Sequence, residues 1–85
     1  MTLREFKARQ LVKIKELEEQ LTIKYPDKEK RIEEITALLV SKLSYLRTYT
    51  LYDYLQTIYL ASREIPEFIS LMPKEKEVEE LLEEE

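Results

Sequence analysis

The chain has no cysteine, histidine, glycine or tryptophan, and asparagine is missing as well. Without cysteine there is no disulfide, iron–sulfur ligand or thiolate zinc site, and the compartment the composition suggests is the reducing cytoplasm. Without histidine the usual neutral-pH proton shuttle and the favoured nitrogen ligand for transition metals are gone too. The lack of glycine excludes phosphate-cradling loops, the glycine turn of an EF-hand and the tight glycine hairpins of β-sheets. Any chemistry would fall to Glu, Asp, Lys, Arg, Tyr, Ser or Thr. No long apolar run is present, and the opening MTLREFKARQ lacks the apolar core of a signal peptide, so neither a membrane span nor export is indicated.

What is present is charge. Lys, Arg, Asp and Glu make up 38% of the 85 residues, with a net charge of −4. Glutamate outnumbers aspartate 16 to 2, a bias that resembles hyperthermophile proteins and that any strongly helical chain also shares. The charge is divided unequally along the chain. Residues 1–63 carry net +3 and residues 64–85 net −7, so body and tail should attract one another in a salt-dependent way. One domain of this size holds together without staples only if its elements pack well.

Apolar residues recur at helical spacing throughout. Leu3, Phe6, Leu11, Ile14, Leu17, Leu21 and Tyr25 share one face of a first helix at about 2–24. Thr2 and Glu5 have capping-box spacing at its start, and Pro26 ends it by disfavouring helical geometry in the residue before it. Gln10 interrupts the apolar face, which suggests either a register-fixing amide or a place near the open end of a bundle, and the second is the simpler expectation. Asp27 has the chemistry to cap a second helix at about 28–48, whose stripe is Ile32, Ile35, Leu39, Leu43 and Leu46. The joint of Tyr25, Pro26 and Asp27 is too short for anything but antiparallel neighbours.

The stretch YLRTYTLYDYLQTIYL, residues 45–60, holds five of the six tyrosines and has strand-like composition. Alternation gives neither side an apolar face, whereas helical spacing carries the second stripe onward through Leu46, Thr50, Tyr54, Ile58, Ala61 and Ile65. Helix spacing therefore overrides composition. Thr48, Tyr49 and Thr50 are poor helix residues, and Thr50 with Asp53 repeats the capping-box spacing, so the chain should break near 48–50 and resume as a third helix at about 50–64. Pro66 opens a short helical segment at 66–72, and Pro73 precedes an acidic amphipathic helix or tail at 73–85. The fold class is all-α: a small antiparallel bundle of three to four helices over residues 1–72 with a short acidic C-terminal helix.

Two features have functional chemistry. Tyr45, Tyr49, Tyr52 and Tyr59 form a second stripe on the third helical segment, and tyrosine suits interfaces because it covers area with a rigid ring and keeps its hydroxyl wet. Such rings more often edge a core, here beneath the first helix and the C-terminal segment. Otherwise they meet a partner protein or a second copy in a weak homodimer. Stacking of nucleic acid on these rings is disfavoured by charge, because net +3 beside net −7 is far from a basic groove. The second feature is the tail, where Glu77, Glu79, Glu80, Glu83 and Glu84 pair up along a helix and could bind Ca²⁺ weakly; a rigid helix converges few oxygens on one ion. The same segment, with Val78, Leu81 and Leu82 on one side, could instead dock on a basic partner or on the chain's own body. Glu64 and Glu67 are the only acids beside a helix junction, too little for acid–base catalysis. The sequence thus points to a non-enzymatic helical interaction module without a cofactor, and weak Ca²⁺ binding is the alternative.

Overall fold

The computed structural model describes residues 1–84; Glu85, the last residue of the tail, lies outside it. Four α-helices follow one another: α1 (Leu3–Lys24), α2 (Glu29–Ser44), α3 (Leu51–Glu64) and α4 (Glu75–Glu83). Three 3₁₀ segments, Pro26–Lys28, Thr48–Thr50 and Pro66–Leu71, connect them, and the described residues contain no strand. The all-α bundle expected from periodicity is the fold.

α1 begins as its sequence dictates. The Thr2 hydroxyl accepts from the Glu5 N–H and the Glu5 carboxylate accepts from the Thr2 N–H, both at 3.1 Å, which satisfies two of the free donors at the helix start. At its other end Tyr25 leaves the helix ahead of Pro26 and closes the hairpin to α2. Its hydroxyl donates to the Glu67 carboxylate at 3.1 Å, and Lys24 reaches the same carboxylate at 2.6 Å, tying the α1–α2 turn to the Pro66–Leu71 segment. The Lys24 ammonium, with backbone and Tyr25 hydrogen bonds behind it, holds the Glu67 carboxyl below its ordinary range.

Two expected caps do not form. Asp27 lies within the 3₁₀ turn, and α2 starts after Lys28 with no side-chain cap. Thr50 turns backwards rather than forwards: its hydroxyl accepts from the Arg47 N–H at 2.8 Å, and Asp53 instead holds Lys42 at 2.6 Å. The reason is the break itself. α2 stops at Ser44 rather than running to 48, Arg47 is extended, and the Arg47 N–H needs a partner that Thr50 supplies.

The core runs the length of the molecule, which measures 42 × 19 × 16 Å. Phe6, Ile14, Leu17 and Leu21 of α1 meet Ile32, Ile35, Leu39 and Leu43 of α2, then Leu51, Tyr54, Ile58 and Ala61 of α3, with Leu46, Ile65, Phe68 and Leu71 from the connections. Each fully buried Leu, Ile or Phe contributes about 1.5–3 kcal/mol relative to exposure. Gln10 is not near an open end: it is 1% exposed, and its side-chain oxygen accepts from the Tyr54 hydroxyl at 2.7 Å. The Tyr54 ring also meets Phe6 edge-on, with centroids 6.2 Å apart. Burial pushes the Tyr54 phenol well above its ordinary pKa, so it stays a donor at any ordinary pH.

Candidate interaction surface

α3 is apolar on two sides, and the bundle uses only one. Leu51, Tyr54, Ile58 and Ala61 face inwards, and Tyr52 and Tyr59 face solvent at 61% and 53% exposure. Tyr45 and Tyr49, at 76% and 84%, flank Arg47 in the connection between α2 and α3. The expectation that these four rings edge the core beneath α1 is therefore overturned. The physical reason is that Tyr54 and its neighbours already fill the α1–α3 contact, and Phe68 and Leu71 of the following segment join that inward side rather than covering the tyrosines. The structure places all four tyrosines on the outside, on α3 and the connection that leads into it.

The neighbouring flank of α3 holds a feature that the periodicity of the chain did not single out. A groove of about 570 Å³ runs between α2 and α3, lined by Ile35, Leu38, Leu60 and Ala61 among others. Arg31 grips Glu64 at one end through two hydrogen bonds of 3.3 and 2.7 Å, and the Lys42–Asp53 pair stands at the other. Leu38 and Leu60 are each about half exposed. Their positions between the charged stripes of two helices were the only available signal, and it becomes meaningful only when α2 and α3 are placed side by side. Glu64 and Glu67 are committed to Arg31 and Lys24 respectively.

The acidic tail docks on the chain itself. Leu81 is fully buried, and Val78 and Leu82 pack partly buried on the same core as Met1, Leu3, Leu55 and Met72. Around them the carboxylates meet donors at the start of α1. Glu77 holds Arg9 at 2.8 Å, Glu80 holds the amino group of Met1 at 3.0 Å, and Glu84 accepts from the Leu3 N–H. Negative charge beside the positive end of a helix macrodipole is favourable, which gives this seat a reason beyond the pairs themselves. The Glu77 carboxyl is held below its ordinary range by the Lys74 backbone N–H first and by Arg9 second.

Of the five glutamates considered as Ca²⁺ ligands, Glu77, Glu80 and Glu84 thus already have partners, and Glu79 and Glu83 are exposed. Among the described residues no group of three or more acids is placed to hold a metal ion. None of the described helices is long and apolar enough to cross a membrane.

No family model matches the chain, and no curated protein or solved structure matches it either.

Proposed function

We propose that the chain is a non-enzymatic, cytoplasmic interaction module whose contact surface for a protein partner is the tyrosine face of Tyr45, Tyr49, Tyr52 and Tyr59. One observation supports this reading above all: four large rings are more than half exposed on a bundle whose core is complete without them. Rings left in water add nothing to folding, whereas tyrosine is among the residues that contribute most when an interface covers them. Two of them sit on regular helix, so the surface is held by the bundle rather than by a loose loop.

The weak Ca²⁺ alternative on Glu77, Glu79, Glu80, Glu83 and Glu84 has less support, since Glu77, Glu80 and Glu84 already hold Arg9 and the start of α1 and the exposed Glu79 and Glu83 bring only two carboxylates.

The test is affinity capture with the whole chain, comparing it with Tyr49→Lys/Tyr52→Lys. Both residues are exposed, so the variant should melt within a few degrees of the parent while partner recovery falls at least tenfold. Equal recovery by the folded variant would remove the tyrosine face from the function.

A further inference from the structure

We infer that the corner where α1 meets the α2–α3 connection is a docking site for an acidic, amphipathic segment of the partner protein, a reading that rests on the interaction-module function and names its partner's chemistry. Arg4 and Lys7 of α1 and Arg47 of the connection line a shallow depression of about 250 Å³ beside Leu46. Among the described residues none of these three cations has an ion-pair partner, and the Arg47 guanidinium donates only to the Leu46 carbonyl, at 2.9 Å. Tyr45 and Tyr49, each two residues from Arg47 in the chain, are exposed. Like charges gathered without a counter-charge repel one another, and an anionic ligand relieves that repulsion while the rings supply area to cover.

The same helix shows what such a place accepts. On the other side of the first turns of α1, Arg9 is met by Glu77 of an acidic helix that sends Leu81 into the core and lays Val78 and Leu82 against it. Arg9 lies about 140–160° around the helix from Arg4 and Lys7, at 100° per residue, and α4 ion-pairs with neither, although Glu84 just beyond it accepts from the N–H of Leu3 at the edge of the depression. The corner thus offers part of that arrangement: cations beside a partly buried Leu3 and over a buried Leu46, with exposed rings close in the chain and no acidic segment ion-paired to the cations among the described residues.

A second copy is a poor occupant, because its acidic helix is already seated on its own α1. Nucleic acid and anionic membranes are polyanions, and at long range the tail's net −7 opposes them. A short acidic segment presents a few charges locally and avoids that repulsion.

The test titrates the full-length, ¹⁵N-labelled chain with a synthetic twelve-residue peptide of glutamates with leucine and phenylalanine at helical spacing. Saturable amide shifts are expected at Arg4, Lys7, Tyr45, Arg47 and Tyr49, weakening at least tenfold when the glutamates are replaced by glutamine or when NaCl is raised from about 50 to 500 mM. Arg4→Glu/Lys7→Glu/Arg47→Glu should abolish them and Lys30→Glu, at the far end, should change the affinity less than twofold. If the triple variant does not fold, Arg47→Gln serves, with an expected loss of at least threefold.

Absence of saturable corner shifts up to about 2 mM peptide overturns the inference. So do shifts confined to residues 75–83, which would mean that the peptide displaces α4, and so does corner binding by phosphatidylserine vesicles or an oligonucleotide but not by the peptide. Concentration-dependent dimerisation through the corner would replace the partner segment by a second copy and overturn it as well. The two levels of the reading separate cleanly. If capture of the partner survives the triple charge reversal but is lost in Tyr49→Lys/Tyr52→Lys, the tyrosine face stands and the acidic partner falls; if neither variant changes capture, both the tyrosine face and the corner fall.

Discussion

Two sides of the same few turns of α1 are built from similar residues and end differently. On one side Arg9 and the helix start are covered by α4, which brings carboxylates and a buried leucine. On the other, Arg4, Lys7 and Arg47 line a depression beside the buried Leu46, with Tyr45 and Tyr49 exposed two residues from Arg47 in the chain, and no described residue ion-pairs with the three cations. The covered side shows that net charge alone does not seat a segment. The tail needed Leu81 to go inside, and the ion pairs, exposed on at least one partner, only orient it.

Leu81→Ala is the sharpest way to break the difference between the two sides. It removes a fully buried side chain, a change that costs about 2–5 kcal/mol when the site cannot collapse. Because α4 sits at one edge, the loss should be local. Hydrogen exchange in residues 75–83 should approach that of an open chain while amides of Leu39 and Ile58 keep their protection. Simultaneous loss of protection in all helices would mean that α4 is integral to the bundle, and the two sides would then differ in kind.

A smaller effect separates the tyrosine inside from those outside. Tyr54→Phe leaves the buried Gln10 oxygen without its donor and should cost about 1–3 kcal/mol in urea unfolding. Gln10→Leu/Tyr54→Phe removes both polar groups and should recover most of that loss. Tyr49→Ser, at an exposed position, should stay within about 0.5 kcal/mol of the parent. A comparable loss at Tyr49 would give the outer stripe a share in folding.

Acid should also act on one side only. The folded Glu5, Glu67 and Glu77 carboxyls lie below their ordinary values, through the Thr2 N–H, Lys24 and the Lys74 N–H respectively. A depressed carboxyl contributes stability that is present above its unfolded pKa of about 4.3 and is lost as the pH falls through the folded value. Below about pH 4.3 the melting temperature should therefore fall, and amide shifts should report loosening of α4 before any change at Arg47 or Tyr49. Early loosening of the corner instead would show that charge on the tail side holds both.

Much of this arrangement was legible in residue spacing. Thr2 with Glu5 predicts a cap that forms, and helical spacing separates Tyr54, on the core stripe, from Tyr45, Tyr49, Tyr52 and Tyr59, on the second one. Spacing cannot tell whether that second stripe is covered, since this depends on where α1 and the tail come to rest. Gln10 is buried rather than near an open end for a similar reason: its partner lies 44 residues away, on a helix whose register against α1 is a tertiary fact. Thr50 and Asp27 failed as caps because a local motif competes with whatever else needs the same oxygen, here the Arg47 N–H in the case of Thr50. The opposite charges of body and tail predicted attraction, and the seat itself was set by Leu81.

No described residue has a positive φ, so every corner of the bundle is made with backbone that any L-residue adopts. Together with the absence of glycine, this bears on the denatured chain more than on the folded one. Each glycine that a turn does not need leaves the denatured chain less freedom to lose, by about 0.4–1 kcal/mol relative to a homologous turn that has one. Part of the resistance of this small core to unfolding is therefore held by no contact at all, and introducing glycine at an exposed, uncontacted corner position would weaken the fold without removing anything visible in it.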